Sequence, residues 1–212
     1  MSLRYGLLGF LSKWEATGYD IKKEFDDIMS IFWHSHLSQI YPELNKLEQE
    51  GLISSQLIPQ MGKPDKKLYS MTQKGKSAFI TWLLSPQEAA KRKDSFLMQT
   101  FFMDNIPFEE ALLKIKMNKK EHELRLEHMK SILEERWKDI KERKVMNARI
   151  ISSSAILKQG IEQEIQSIKW CDQTIQLMEE CKDLWDLKED HVSIERFSVI
   201  ERLLSSYFKD VL

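Results

Sequence analysis

Apolar residues recur at helical spacing from the start of the chain. Leu3, Leu7, Leu8, Phe10 and Leu11 predict a short apolar helix over residues 3–12. Thr17-Gly18 opens a second, 18–29, in which Tyr19, Ile21, Phe25, Ile28 and Met29 alternate with Lys22, Lys23, Glu24, Asp26 and Asp27. Thr17 suits an N-cap, and Asp20, three residues on, stands in the capping-box position. A third helix carries Leu37, Ile40, Leu44 and Leu47 on one stripe and ends at Gly51, where a left-handed residue is wanted. Pro42 lacks an N–H and limits upstream extension, which places the start near Ser38, a capable cap.

Two β-like runs follow, 52–59 and 67–72, separated by Gly62 and Pro64 in a segment with the chemistry of a hairpin tip. Thr72 then caps a fourth helix that reaches Leu84. Helix, helix, helix, hairpin, helix is the order of a winged helix-turn-helix. Beyond Ser85-Pro86 the pattern predicts a helix over 88–103, a break at Asn105-Ile106-Pro107, and a long helix over 108–146. In the long helix Leu126, Leu133 and Ile140 recur every seven residues, with Met129 between them. A second long helix, 149–182, repeats Ile161, Ile168 and Ile175 on one heptad position and Ile150, Leu157, Cys171 and Met178 on another. Such spacing marks a helix-pairing seam. Two such helices cover each other on one face, so Trp137, Ile151, Ile156, Ile165 and Trp170 need a further surface, and a dimer partner is the simplest one. We expect dimer contacts at Leu157, Ile161, Ile168, Trp170 and Ile175. A last helix over 193–210 completes the chain.

The expected fold is therefore mainly α with a small β-hairpin: a winged helix-turn-helix domain at 1–85, a helical dimerisation and effector domain at 86–182, and a helical extension at 183–212. Glycine and proline placement agrees with this division. All five prolines end at Pro107, and only Gly160 interrupts the rest, one residue before Ile161, where a missing side chain lets another helix approach. Cys171 and Cys181 form no CxxC pair and read as reduced thiols of a cytoplasmic protein. No apolar run approaches the roughly 18 residues of a membrane span, and no secretory leader is recognisable.

The net charge of −1 excludes a uniformly basic coat and leaves room for a local patch. With the Ile40–Leu44–Leu47 stripe turned inward, the opposite face of the third helix presents Ser38, Gln39, Pro42, Asn45, Lys46 and Gln49, with Tyr41 on its flank. Hydroxyls, amides and one lysine suit base edges and phosphates. From Met61 to Lys76 there are five lysines (Lys63, Lys66, Lys67, Lys74, Lys76) against the single acid Asp65, a local charge of +4. A compact basic tip beside a polar helix is the footprint of a wing following a phosphate backbone. The expected DNA contacts are Ser38, Gln39, Tyr41, Pro42, Asn45 and Lys46 on the helix, and Lys63, Lys66 and Lys67 on the wing.

These residues also match a family. Gly18-Tyr19-Asp20-Ile21, Phe32-Trp33, Ser38-Gln39-Ile40-Tyr41-Pro42-Glu43-Leu44 and Lys46-Leu47-Glu48-Gln49-Glu50-Gly51-Leu52-Ile53 closely resemble the PadR family of bacterial transcriptional regulators. Leu68-Tyr69-Ser70-Met71-Thr72 before Gly75 looks like its second wing strand and following helix. Lys93-Asp94-Ser95-Phe96-Leu97-Met98, and Gly160-Ile161-Glu162 leading to Trp170, are similar to the subgroup with a long helical C-terminal domain. The resemblance implies a homodimer on a partly palindromic double-stranded DNA operator, usually a repressor released by a small molecule. In phenolic-acid-responsive members that molecule is a hydroxycinnamate-type acid. An effector is expected to act by changing the separation of the two DNA-reading heads, and Phe96, Phe101, Phe102 and Trp170 are the aromatic candidates to line its pocket. The last helix extends past the usual family end.

No enzyme chemistry assembles. Gly75-Lys76-Ser77 ends like a phosphate-binding loop, but the first glycine of that motif falls on Ser70. His122 and His128 lie six apart, on different faces of a helix, and His34 and His36 lack a third ligand, so neither a metal nor a cofactor is expected. A winged-helix activator fits the same residues as a repressor. A helical scaffold explains the C-terminal seam and leaves the basic wing unexplained.

Overall fold

The computed structural model describes residues 3–28, 39–60, 65–86, 93–143, 147–185 and 193–209. The chain divides into two compact units, residues 1–91 and 92–212. The first contains α1 (Leu3–Leu11), β1 (Ala16–Thr17), α2 (Gly18–Ile28), α3 (Ile40–Gln49), β2 (Ile53–Ile58), β3 (Lys66–Met71) and α4 (Gln73–Leu84). Reciprocal bonds start α2. The Asp20 carboxylate accepts from the Thr17 N–H at 3.0 Å and the Thr17 hydroxyl at 2.6 Å, and the Thr17 hydroxyl accepts from the Asp20 N–H at 3.2 Å. Those bonds hold the Asp20 carboxyl below its usual range.

Helix α3 is described from its Ile40 end, and the expected start near Ser38 falls outside the described residues. Gln39 in the cap position makes no side-chain cap bond. Pro42 sits in the first turn, where N–H groups have no intrahelical acceptor in any case. Gly51 ends the helix at φ 71°, the left-handed conformation that costs a side-chain-bearing residue most. The sheet has a strand that the alternation did not indicate: β1 pairs antiparallel with β3, giving the order β1-β3-β2. Two residues are too few to show a period. Thr72 caps α4 by accepting from the Gly75 N–H at 3.1 Å.

Leu7, Leu8, Ile21, Ile40, Leu44, Leu47 and Ile53 are sealed inside this unit, and Tyr5 stacks on Trp82 at 4.6 Å. Tyr19 departs from the helical pattern. It is exposed rather than part of the apolar face of α2.

In the second unit the helix expected from residue 88 is described only from Ser95: α5 (Ser95–Phe101), whose N-cap Asp94 accepts from the N–H groups of Phe96 and Leu97 at 3.0 Å. A 3₁₀ turn (Met103–Asn105) precedes Pro107, and α6 (Phe108–Arg143), α7 (Ala148–Glu180), α8 (Lys182–Trp185) and α9 (Ile194–Tyr207) follow. Helices α6 and α7 run antiparallel, as the crossing pairs Lys116–Glu179 at 3.3 Å and Lys119–Asp172 at 2.6 Å require. Leu157, Gly160, Glu164, Cys171 and Met178 are the buried positions of α7, so the predicted seam includes the glycine and also an acid. Met103, Phe108, Ala111, Leu112, Ile115, Cys171 and Met178 form the core at one end of the pair. The Trp185 indole N–H returns to this core by donating to the Ile106 carbonyl at 2.8 Å. Helix α9 lies back along α7, with Thr174 and Tyr207 3.2 Å apart, and is tied to α8 by Arg196–Asp183 at 2.5 Å. Among the described residues no helix is long and apolar enough to cross a membrane.

Candidate nucleic-acid interface

Helix α3 divides cleanly by burial. Ile40, Leu44 and Leu47 are sealed against the core, which turns Gln39, Tyr41, Pro42, Asn45, Lys46 and Gln49 to solvent. The helix is held from both flanks. Arg4 of α1 bonds to Glu50 and lies 3.9 Å from Glu43, while the Lys74 ammonium donates to the Glu50 carbonyl at 2.8 Å. Tyr41 is braced by a close approach to the start of α2. A Cβ at Gly18 would stand 2.5 Å from Tyr41 Cε1, so only glycine leaves that ring where it is.

The wing is less basic in space than in sequence. Lys67 is met by Glu48 of α3, whose carboxylate accepts from its ammonium at 3.1 Å and from the Ser55 hydroxyl. The Ser55 bond, then that of Lys67, holds the Glu48 carboxyl below its usual range, and Glu48 raises the Lys67 ammonium in turn. Asp20 carries the opposite field for Lys66. Acids brought in from α2 and α3 thus offset part of the local +4. Lys63 and the tip around it lie outside the described residues. On the buried side of the hairpin, desolvation raises the Tyr69 hydroxyl. Sequence reading missed Glu48 and Ser55, because nothing in the spacing says that Glu48 meets a lysine 19 residues later.

The residues expected elsewhere are distributed unevenly. Leu157, expected at a dimer contact, is 2% exposed and is one of the buried positions of α7. Ile161, Ile168 and Ile175 are half-buried at the edge of that pair, and Ile175 also packs on the second core. Trp170 is likewise taken up within its own unit, edge-on to Phe96 at 6.3 Å. Of the aromatic effector candidates, Phe96 and Trp170 are therefore brought together. Phe101 and Phe102 meet edge-to-face at 5.0 Å and stay solvent-exposed, Phe101 at 80%. Phe96 joins Gln99, Lys114, Met117 and Asn118 along a shallow groove between α5 and α6. Among the described residues no cluster of His, Cys, Asp and Glu is placed to hold a metal ion, and His34 and His36 lie outside them.

A polar, outward-facing helix on a sealed apolar stripe, beside a two-stranded wing that carries lysines, defines a winged-helix DNA-binding protein. Comparison with known proteins carries this further. Residues 7–80 match the transcriptional regulator PadR-like family, and residues 92–179 match the virulence activator alpha C-term family. The negative transcriptional regulator PadR of Bacillus subtilis (strain 168) is 38% identical over 125 residues, 58% of this chain and 69% of the relative. The crystal structure of Bacillus subtilis PadR in complex with operator DNA matches with TM-score 0.70 and 27% identity, over 84% of this chain and 99% of that one. The same protein in complex with p-coumaric acid matches with TM-score 0.66 and 27% identity, over 85% and 100%. The virulence activator AphA of Vibrio cholerae matches with TM-score 0.65 and 26% identity, over 82% and 96%. The chain belongs to the PadR-like family of transcriptional regulators and is a DNA-binding regulator. Helix α9 lies beyond the segment matched by either family model.

Proposed function

We propose that the protein acts in the cytoplasm, without enzymatic activity, as a homodimeric repressor that leaves its operator when a small aromatic acid binds. The observation that carries this reading is the polar face of α3, set opposite the sealed Ile40–Leu44–Leu47 stripe. Each copy places α3 in a major groove, with Gln39, Asn45 and Lys46, and Ser38 ahead of them, toward base edges. Tyr41 and Pro42 approach the backbone, and the wing with Lys63 and Lys66 follows the adjacent phosphates. Two copies pair through the second unit, where Ile151, Ile156, Ile165 and Trp137 remain exposed. Pairing sets two half-sites about 34–36 Å apart, one turn of DNA. The partly palindromic operator follows from the twofold symmetry.

The effector reading is supported by the groove between α5 and α6, whose lining holds the Phe96 ring and the Lys114 ammonium together with the acid Glu121. An aromatic carboxylate matches the ring and the ammonium, and PadR of Bacillus subtilis has been crystallised with p-coumaric acid. Sedimentation of the full chain, with DNA retardation before and after hydroxycinnamates, tests the proposal. A monomer at micromolar concentration overturns the dimer, and operator affinity indifferent to every aromatic acid overturns the release. Gln39→Ala or Asn45→Ala should cost about 1–3 kcal/mol at particular base pairs. Lys63→Ala with Lys66→Ala should weaken binding to every sequence.

A second reading, activation, is favoured by the match of residues 92–179 to a virulence-activator family. Target expression in a strain lacking the regulator separates the two: a rise supports repression, a fall supports activation.

A further inference from the structure

We propose that Glu48 is a positioning residue of the DNA-binding surface, which latches the wing to α3 and keeps Lys67 from engaging phosphate. It thereby restrains sequence-independent binding. The inference rests on the DNA-binding reading above and assigns to Lys67 a role different from the one its charge suggests.

The hairpin register makes the latch possible. Ser55 pairs with Tyr69 and Leu57 with Lys67, so Ser55 and Lys67 are diagonal neighbours on one face of the two strands. Tyr69, on that same face, is buried in the core, which turns the face toward α3. Glu48 stands in the last turn of α3. Its Oε1 accepts from Ser55 Oγ and its Oε2 from Lys67 Nζ at 3.1 Å. One carboxylate therefore joins α3, β2 and β3, and both of its oxygens are used.

Stability is a poor explanation for this arrangement. The Lys67 side chain is 43% exposed and that of Glu48 30%, and ion pairs so open to water contribute little to folding. Their geometric and electrostatic consequences are larger. Bonds to a single side chain tie both wing strands to α3, beside the core contacts of Ile53 and Tyr69. Lys67, paired with an acid, also carries no uncompensated charge to exchange for the counterions of DNA. An acid beside a DNA-reading helix opposes binding to any polyanion, and it is tolerated where binding to the wrong sequence must be kept weak.

Anisotropy titrations of the full chain decide the matter. They use a short mixed-sequence duplex and a duplex that the protein itself selects from a random library, each across about 50 to 200 mM salt. Glu48→Gln keeps an oxygen for Ser55 and removes the charge. It should steepen the salt dependence on the mixed duplex by about 0.9, one phosphate contact, and tighten that binding about 3- to 10-fold at the low-salt end. The preference for the selected duplex should fall by a similar factor. Lys67→Gln should weaken binding to the selected duplex and leave the salt slope unchanged, and Ser55→Ala should do the same. Thermal melting of each variant close to the parent separates these effects from misfolding. A loss of about one in slope for Lys67→Gln, the mark of a direct phosphate contact, overturns the proposal. So does a Glu48→Gln variant with parental slope and preference. Failure of the parent chain to bind either duplex at low salt would sink the DNA-binding reading itself, whereas parental binding with an inert Glu48→Gln sinks only the latch.

Discussion

The first unit closes its core with residues drawn from three helices and all three strands, whereas the second leans one long helix on another along a seam that is apolar only in part. Leu7, Leu8, Ile21, Ile40, Leu44, Leu47 and Ile53 are all sealed in the first. In the second, a compact core occupies one end of the α6–α7 pair, and the seam then passes through Glu164, held by His122 Nδ1 and by Arg125 Nε at 3.3 Å. Exposed Trp137, Ile151, Ile156 and Ile165 flank that seam. A sealed core fixes the geometry of a reading head without help. A half-covered helix pair leaves apolar surface for a partner and polar contacts that fix its register.

The sharpest way to break this contrast is to truncate one apolar residue in each style of packing. Leu44→Ala should cost the first unit about 2–5 kcal/mol in urea unfolding, because it removes methyl groups from a closed core and leaves a cavity. Ile165→Ala should change unfolding of the isolated chain by less than about 0.5 kcal/mol and instead weaken self-association, measured by sedimentation. Equal losses would erase the distinction.

A smaller effect tests the polar layer. Glu164→Ala removes the carboxylate partner of His122 and leaves Arg125 with Glu121, and should destabilise the second unit by about 1–3 kcal/mol, read from its thermal transition. Thr72→Ala should cost about 1–2 kcal/mol, since it removes the α4 cap together with the hydroxyl's bonds to the Gly51 and Leu52 carbonyls.

Acid titration touches the first unit through Asp20. Its carboxyl is held down by the Thr17 bonds, so its contribution is present above the unfolded aspartate value and disappears as pH falls through the lower folded one. Asp20→Asn should flatten the acid limb of the stability profile and leave the alkaline limb as it was. The smallest effect is chemical: burial raises both thiols, and native Cys171, fully covered, should alkylate more slowly than half-buried Cys181 by mass spectrometry.

Much of the reading head was legible from local chemistry. The Thr17–Asp20 box, the left-handed Gly51, the Thr72 cap and the inward Ile40–Leu44–Leu47 stripe are interactions within a few residues of one another, and spacing alone reveals them. Three features were not legible, for a common reason. The short strand β1 exists only because Ala16 and Thr17 find Tyr69 and Leu68, more than 50 residues away. Tyr19 obeys the apolar period of α2 and is nonetheless exposed. Leu157 obeys a heptad that two copies or one chain could satisfy, and it is buried within the single chain.

What the sequence determined by itself is therefore most of the helices, the Thr17 and Thr72 caps and the stripe on α3, because these depend on propensity and period over a turn or two. The tertiary structure decided which charges survive. Glu48 and Lys67 are separate symbols in the chain, and folding brings them to 3.1 Å as an ion pair. Local pattern fixes where a side chain points, but the electrostatic surface is a sum over neighbours in space, and those neighbours exist only once the chain has folded.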